Sequence, residues 1–101
     1  MFSKNVYYHP EEHDLVLVSE FDAGERYEFD ITVVWHEAGV GYYIGTDSGC
    51  SCPTPFENYD GKADLTGPLT KVQVLEEVKN LNEDHQEEQD FGEFINEIFN
   101  F

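Results

Sequence analysis

Residues 45–57 read Gly45-Thr-Asp-Ser-Gly-Cys-Ser-Cys-Pro-Thr-Pro-Phe-Glu57, and this stretch divides the chain into two parts of different character. It holds both cysteines and two of the four prolines. Each proline forces the residue before it out of helical φ/ψ, so no helix can pass through this point. An Asp-Ser pair ahead of Gly49 is typical of a turn. We therefore expect a strand that ends near Thr46, a tight turn, and an extended strap that Phe56 anchors in the core.

The segment Asp14–Asp22 alternates between apolar and polar residues, which predicts a first strand. Leu15 and Leu17 fall on one side, and that side continues to Ser19 or Phe21. Val16, Val18 and Glu20 fall on the other side.

The segment Arg26–Glu37 has the strongest strand pattern in the chain. One face carries Tyr27, Phe29, Ile31, Val33 and Trp35, and the other carries Glu28, Asp30, Thr32, Val34 and His36. The second of these faces is the more polar one, and we expect His36 to be exposed on it. A third strand, Tyr42–Thr46, leads into the strap. Because turns that contain glycine join consecutive strands, the pattern favours an antiparallel meander.

Helical patterns replace strand patterns after the strap. Asn58–Gly67 is expected to be a loop, with a Gly-Pro pair at its end as a breaker. Thr70 and Gln73 have the spacing of a capping box, which predicts a helix over Lys71–Leu81. The apolar stripe of this helix is Val72, Leu75, Val78 and Leu81.

A second helical pattern lies in the C-terminal segment and consists of Phe91, Phe94, Ile95 and Ile98. No Lys or Arg occurs from Asn80 to Phe101, and three like-charged pairs stand four residues apart: Glu83/Glu87, Asp84/Glu88 and Glu93/Glu97. Each such pair destabilises a helix by about 0.2–0.5 kcal/mol. We expect the helix either to dock through its apolar residues and Phe99, on the sheet or on a partner, or to stay mobile until it meets a cationic surface.

The fold class expected from these patterns is α+β, with a small antiparallel β-meander of three to four strands followed by one or two C-terminal helices. At 101 residues the chain is long enough for a single core. We expect an α+β core with the cysteine-proline strap over residues 1–82, and an acidic amphipathic helical segment over residues 83–101.

Charge is the dominant global feature, because 22 acidic residues against 5 basic ones give a net charge of −17. Both halves of the chain are acidic. Such a field repels nucleic acid and anionic membranes and attracts cationic partners. We therefore expect a basic protein as the partner, with no direct binding of nucleic acid or membrane. A homodimer is compatible with the sequence.

Cys50 and Cys52 raise the question of metal or thiol chemistry. A reactive thiol needs nearby positive charge, yet no Lys or Arg stands between Arg26 and Lys62. Zinc is an alternative, with His36 as a third ligand and one of Asp47, His9, His13 or His85 as the fourth. The Cys-x-Cys spacing is a weak zinc signal, and a pair of reduced, partly buried thiols holding the strap explains it as well.

The sequence assigns no residue a catalytic role, and we expect no enzyme activity and no cofactor. With 22 acids present, no particular pair of carboxylates identifies an acid–base site, and Glu57 stands out only by its place beside the strap. An EF-hand is excluded. If Gly92 is aligned with the invariant glycine of the calcium-binding loop, Phe91 and Ile98 fall at positions that require oxygen ligands.

Several parts of the chain resemble a family of small acidic proteins encoded by bacteriophages of actinobacteria, whose function is unknown. The resemblance rests on Tyr27-Glu-Phe-Asp-Ile-Thr-Val-Val-Trp35, the Gly-Tyr-Tyr strand that follows and the strap, and it covers about residues 10–66. The motif residues of the strap are Asp47, Ser48, Gly49, Cys50, Ser51, Cys52, Pro53, Pro55, Phe56 and Glu57. The resemblance implies a phage protein that acts in the host cytoplasm, and it brings no known active site.

The leading hypothesis is a non-enzymatic interaction protein that binds a basic host protein through its carboxylates, by nucleic-acid mimicry or by inhibition of a host factor. The residues expected to form this surface are Glu83, Asp84, Glu87, Glu88, Asp90, Glu93 and Glu97. The alternative is a small zinc-binding or thiol-dependent domain centred on Cys50 and Cys52. A third interpretation is that the acidic residues serve only to keep the protein soluble.

Overall fold

The computed structural model describes residues 5–24, 27–50 and 55–101, with the backbone alone of Cys50. In these ranges one antiparallel sheet has its strands in sequential order: β1 (Leu15–Asp22), β2 (Glu28–Glu37), β3 (Gly41–Cys50) and β4 (Thr66–Leu69). Two helices follow, α1 (Lys71–Leu81) and α2 (Gln89–Asn100). Short 3₁₀ turns occupy Pro10–His13, Lys62–Asp64 and Glu83–His85. The expected α+β class is confirmed.

Both faces of the sheet are covered, although the sequence suggested one polar face. The helices cover one face, and their apolar residues form a single cluster with side chains of the sheet. The buried members of this helix-side cluster are Phe21, Val34, Tyr42, Ile44, Val74, Val78, Phe91, Phe94 and Ile98. Because α1 and α2 lie over this face, Thr32 and Val34 are buried and His36 is half-buried. The expectation that His36 is exposed is therefore wrong, and only Glu28 and Asp30 on this side of β2 are exposed.

The opposite face is covered by chain segments from outside the sheet. Val6 and Phe56 are fully buried there against Ile31, Val33 and Trp35 of β2. The expected role of Phe56 as a core anchor is confirmed.

A β-bulge between Leu17 and Ser19 changes the side to which β1 points its residues. Leu15 and Leu17 contact the cluster around Trp35, whereas Phe21 packs in the helix-side cluster. The extra residue at the bulge shifts the alternation by one position. The expectation that Leu15, Leu17 and Phe21 share a face is therefore wrong.

β3 is longer than expected and continues to Cys50. Its last residues pair with the start of β2, with Ser48 opposite Asp30 and Cys50 opposite Glu28. The tight turn expected at Gly49 is therefore wrong, because a strand partner was available to continue the ladder of hydrogen bonds. The start expected for β2 is also wrong: β2 begins at Glu28, and Tyr27 lies before it in the left-handed region at φ +67°.

β4 replaces the last part of the expected loop. The Gly67-Pro68 pair lies inside this strand, with Leu69 opposite Tyr42 and Thr66 opposite Ile44. Proline is tolerated here because β4 is an edge strand, in which some of the amides do not have to donate a hydrogen bond to a neighbouring strand.

α1 has the bounds that the sequence predicts. The side chain of Thr70 accepts a hydrogen bond from the Gln73 amide, and that of Gln73 accepts one from the Thr70 amide, so the capping box is confirmed. The predicted stripe is wrong at both ends, because the helix buries Val74 and Val78 and leaves its ends exposed. The exposed members are Val72, 65% exposed, and Leu81, 48% exposed.

α2 docks on the sheet of its own chain, which settles the two alternatives left open for the C-terminal segment. Phe91, Phe94 and Ile98 are buried, whereas Phe99 is 62% exposed and does not contribute to the docking. Of the three like-charged pairs, only Glu93/Glu97 lies within one helix, because α2 begins at Gln89. None of the helices in the described ranges is long and apolar enough to cross a membrane.

Candidate interaction surface

A groove of about 310 Å³ lies between β1 and α2 and is dominated by carboxylates. The described residues that line it are Glu20, Phe21, Asp22, Asp90, Glu93, Phe94 and Glu97. Five of these seven residues are acidic and none of the seven is basic. The groove therefore concentrates negative potential, because its two aromatic members, Phe21 and Phe94, are almost fully buried and its other members are acidic.

The apolar face of α2 fixes the position of its acids. Burial of Phe91, Phe94 and Ile98 against the sheet leaves Asp90, Glu93 and Glu97 at the exposed side. Residues three and four apart are neighbours on a helix surface, so these carboxylates form one row. The row follows from docking of α2 rather than from local sequence alone.

Neighbouring donors orient three of the five carboxylates. Ser19 Oγ donates to Glu97 Oε1 at 2.6 Å, and the Tyr7 hydroxyl donates to Glu20 Oε2 at 2.7 Å. The Asp22 carboxylate accepts from the amides of Gly24 and Asp30, at 2.8 and 3.0 Å. Burial, reinforced by the bond to Glu20, raises the pKa of the Tyr7 hydroxyl. All these donors are neutral, so they position negative charge without cancelling it.

The lysines whose contacts the structure gives are engaged elsewhere. Lys62 Nζ pairs with Glu37 at 3.0 Å, a contact that lowers the pKa of the Glu37 carboxyl and raises that of Lys62. Lys71 Nζ donates to the carbonyl oxygen of Phe99 at 2.8 Å. No internal cation therefore lines the groove in the described part of the chain.

The seven acids expected to form one surface divide into two groups. Asp90, Glu93 and Glu97 line the groove, and the rest lie exposed in the connection between α1 and α2. The acids of this connection are Glu83, Asp84, Glu87 and Glu88. Sequence reasoning missed Glu20 and Asp22, because no local signal shows that β1 is an edge strand and lies beside α2.

His85 and Glu88 form a close pair in the connection, and the His85 ring also packs 5.9 Å from the Phe21 ring. The hydrogen bond to Glu88 raises the pKa of His85 above its ordinary value of 6.5, and the charges of Glu88, Asp84 and Asp30 add to this effect. A raised pKa means that folding favours the protonated ring.

We expect this pair to make stability depend on pH. Its contribution is fully present below the ordinary pKa of 6.5 and is lost as pH rises through the higher pKa of the folded state. Urea unfolding of the native protein and His85→Gln across this range measures it. The stability advantage over the variant should shrink as pH rises; a constant difference would contradict the prediction.

The described part of the strap is held at its two ends. The Asp47 carboxylate accepts from the amides of Ser48 and Phe56, at 3.0 and 2.7 Å. The Tyr8 hydroxyl donates to the Pro55 carbonyl at 2.9 Å, and the Tyr59 hydroxyl donates to the Thr46 carbonyl. Of the remaining motif residues, Glu57 is exposed and Gly49 lies in β3. Asp47 therefore joins β3 to the far end of the strap instead of forming the expected turn.

The structure brings His36 to aromatic rings. Its ring centroid lies 4.7 Å from that of Tyr42 and 5.1 Å from that of Phe101. No group of three or more His, Cys, Asp or Glu in the described residues could hold a metal ion. The side chain of Cys50 and residues 51–54, which include Cys52, lie outside the described part, so the zinc and thiol hypothesis stays a prediction.

The comparisons with known proteins place the chain in a family. The model of a family described as a domain of unknown function, DUF7574, matches residues 4–100. The chain belongs to this family. The match includes α1 and all of α2 as well as the sheet. Searches of curated proteins and of solved structures found no match. Neither an activity nor a binding partner comes from these comparisons.

Proposed function

We propose that this DUF7574 protein is a non-enzymatic interaction protein that binds a basic protein through the carboxylate groove between β1 and α2. The observation that carries the proposal is that five acidic residues, from two separate elements, line a groove whose described lining includes no basic residue. The net charge of −17 adds a long-range field that speeds encounter with cationic surfaces.

The internal energetics support an external partner. The pair Glu93/Glu97 destabilises α2 by about 0.2–0.5 kcal/mol, and the one cation that the described residues place at the C-terminus of this helix, Lys71, contacts the Phe99 carbonyl rather than either of these carboxylates. Docking of the apolar face compensates for this inside the fold. A Lys or Arg from a partner would remove the repulsion as well as add charge-assisted hydrogen bonds.

The partner we propose is a host protein that binds nucleic acid, and the protein itself is proposed to be phage-encoded and to act in the host cytoplasm. This origin rests on the resemblance of the strap motif, Asp47–Glu57, to actinobacteriophage proteins. Lys and Arg side chains that bind phosphate also bind carboxylate, so a row of carboxylates can occupy them. Nucleic-acid mimicry of this kind would inhibit the host factor.

Neutralising the row on α2 should weaken binding. The variant Asp90→Asn/Glu93→Gln/Glu97→Gln keeps side-chain size and removes three charges, and the amide oxygen introduced at position 97 can still accept from Ser19. In pull-downs from host lysate we expect basic proteins, with recovery roughly tenfold lower for this variant and falling as salt rises from about 50 to about 300 mM.

The matched control removes the same number of charges from exposed positions outside the groove: Glu12→Gln/Glu76→Gln/Glu77→Gln. Its recovery should stay within about twofold of the native protein if the groove, rather than net charge, binds the partner. Captured proteins that are not basic, or recovery indifferent to salt, would overturn the proposed function.

A further inference from the structure

The acidic groove follows the edge of β1 rather than either face of the sheet. Three consecutive residues of the strand line it, Glu20, Phe21 and Asp22. Consecutive side chains of a strand point to opposite faces, so a groove over one face would be lined by alternate residues only. Contact with three residues in a row, on a strand that pairs on one side only, is the pattern expected of a groove that runs along the edge of β1.

This edge has no strand partner among the residues that the structure describes. β1 is the first strand in the sheet order and pairs on one side only, with β2. Alternate residues of an edge strand present unpaired N–H and C=O groups, which can pair with an added strand. The bulge at Leu17/Ser19 limits the regular edge to Ser19–Asp22.

α2 runs alongside this edge in the opposite direction. Near the start of the helix, the Phe91 ring lies 5.2 Å from the Phe21 ring, and six residues later Glu97 bonds to Ser19. Asp90, Glu93 and Glu97 therefore follow the strand at successive steps of about 4.5 and 6 Å along the helix axis. Alternate residues of an added strand would stand about 6.7 Å apart, within reach of long Lys and Arg side chains.

We propose that the Ser19–Asp22 edge of β1 accepts an extended segment of the partner as an added strand, whose alternating Lys or Arg side chains meet the carboxylate row of α2. This inference rests on the proposed function and names the form of the cationic partner. Charge complementarity decides the occupant. A second copy of this chain would place one acidic edge beside another, whereas a basic strand satisfies both the backbone edge and the carboxylates.

The test uses the full protein and a synthetic peptide of about eight residues that alternates lysine and valine. An added strand turns only alternate amides toward the edge it joins. We therefore compare two modified peptides, one N-methylated at the lysines and one at the valines. One modification should weaken binding at least roughly tenfold, and the other should leave it within about twofold. The triple variant Asp90→Asn/Glu93→Gln/Glu97→Gln should weaken binding of the unmodified peptide by a similar factor, and its control should not.

Amide exchange locates the pairing. On peptide binding, exchange should slow at alternate amides within Ser19–Asp22 and stay unchanged in β4, the other edge strand. If both N-methylated peptides bound equally weakly, or if exchange slowed at amides outside Ser19–Asp22, strand addition would be overturned. The proposal of a cationic partner would still stand. Self-association through β1, seen by sedimentation, would also overturn it. Failure of this peptide and of all basic lysate proteins to bind would overturn the proposed function too.

Discussion

Phe56→Ala is expected to lower the free energy of unfolding by about 3–5 kcal/mol. The side chain is fully buried and stacks on Tyr7, with ring centroids 5.0 Å apart. Its ring also meets Trp35 and Tyr59 edge-on, at 6.0 and 4.9 Å. Alanine would leave a cavity among these aromatic rings, next to a backbone that is fixed by other bonds.

Those bonds explain why the cavity cannot collapse. The Phe56 amide donates to Asp47, and its carbonyl accepts from the buried Asn5 side chain and from the Tyr59 amide. Residue 56 also lies in the left-handed region at φ +61°. This region is unfavourable for alanine as well as for phenylalanine, so the substitution relieves no backbone strain. Because domains of this kind are stable by about 5–15 kcal/mol, the variant should approach the limit of folding.

Denaturant unfolding measures the effect. Phe56→Leu keeps much of the apolar volume at the same backbone angle, so it should reduce stability by only about 1–2 kcal/mol. If the alanine variant stayed within about 1 kcal/mol of the native protein, the aromatic cluster around the strap would not be part of the core.

Phe94→Ala is expected to have a similar effect, about 3–5 kcal/mol, for a different reason. Phe94 is 1% exposed and packs 5.9 Å from Phe21 and 5.8 Å from Phe91, so it holds α2 on β1. Loss of this contact loosens the helix that carries Asp90, Glu93 and Glu97. Binding of a cationic partner should therefore weaken together with stability, although no charge has changed.

Phe99→Ala is the matched control on the same helix. Phe99 is 62% exposed, so its removal should change the free energy of unfolding by no more than about 0.5 kcal/mol. For both variants, circular dichroism measures helix content, and the affinity for the lysine-valine peptide measures binding. Similar stabilities for Phe94→Ala and Phe99→Ala would show that α2 does not dock through its predicted face.

Local signals in the chain predicted the bounds of α1 and the existence of β1, β2 and α2. The Thr70/Gln73 capping box set the start of α1, because both of its hydrogen bonds lie within one helical turn. Alternation identified β1 and β2 because a period of two is a property of neighbouring residues. The i, i+3, i+4, i+7 pattern of Phe91–Ile98 likewise predicted α2 and its buried face.

Elements that depend on distant partners were missed. β3 extends to Cys50 because Glu28–Asp30 lie opposite, and β4 exists because Tyr42 and Ile44 pair with it. The bulge in β1 is a property of its pairing with β2 and leaves no local mark. The groove has the same origin, since Glu20 and Asp22 meet α2 only after about seventy residues of intervening chain have folded.

The sequence by itself determined the α+β class, the net charge and the apolar face of α2, because composition and periodicity are local and additive. Tertiary structure alone decided that both faces of the sheet are covered and that the acids of β1 and α2 line one groove. The physical reason is that burial is shared between elements: which side of a strand or helix is covered depends on what packs against it, and the position of each exposed carboxylate follows from that packing.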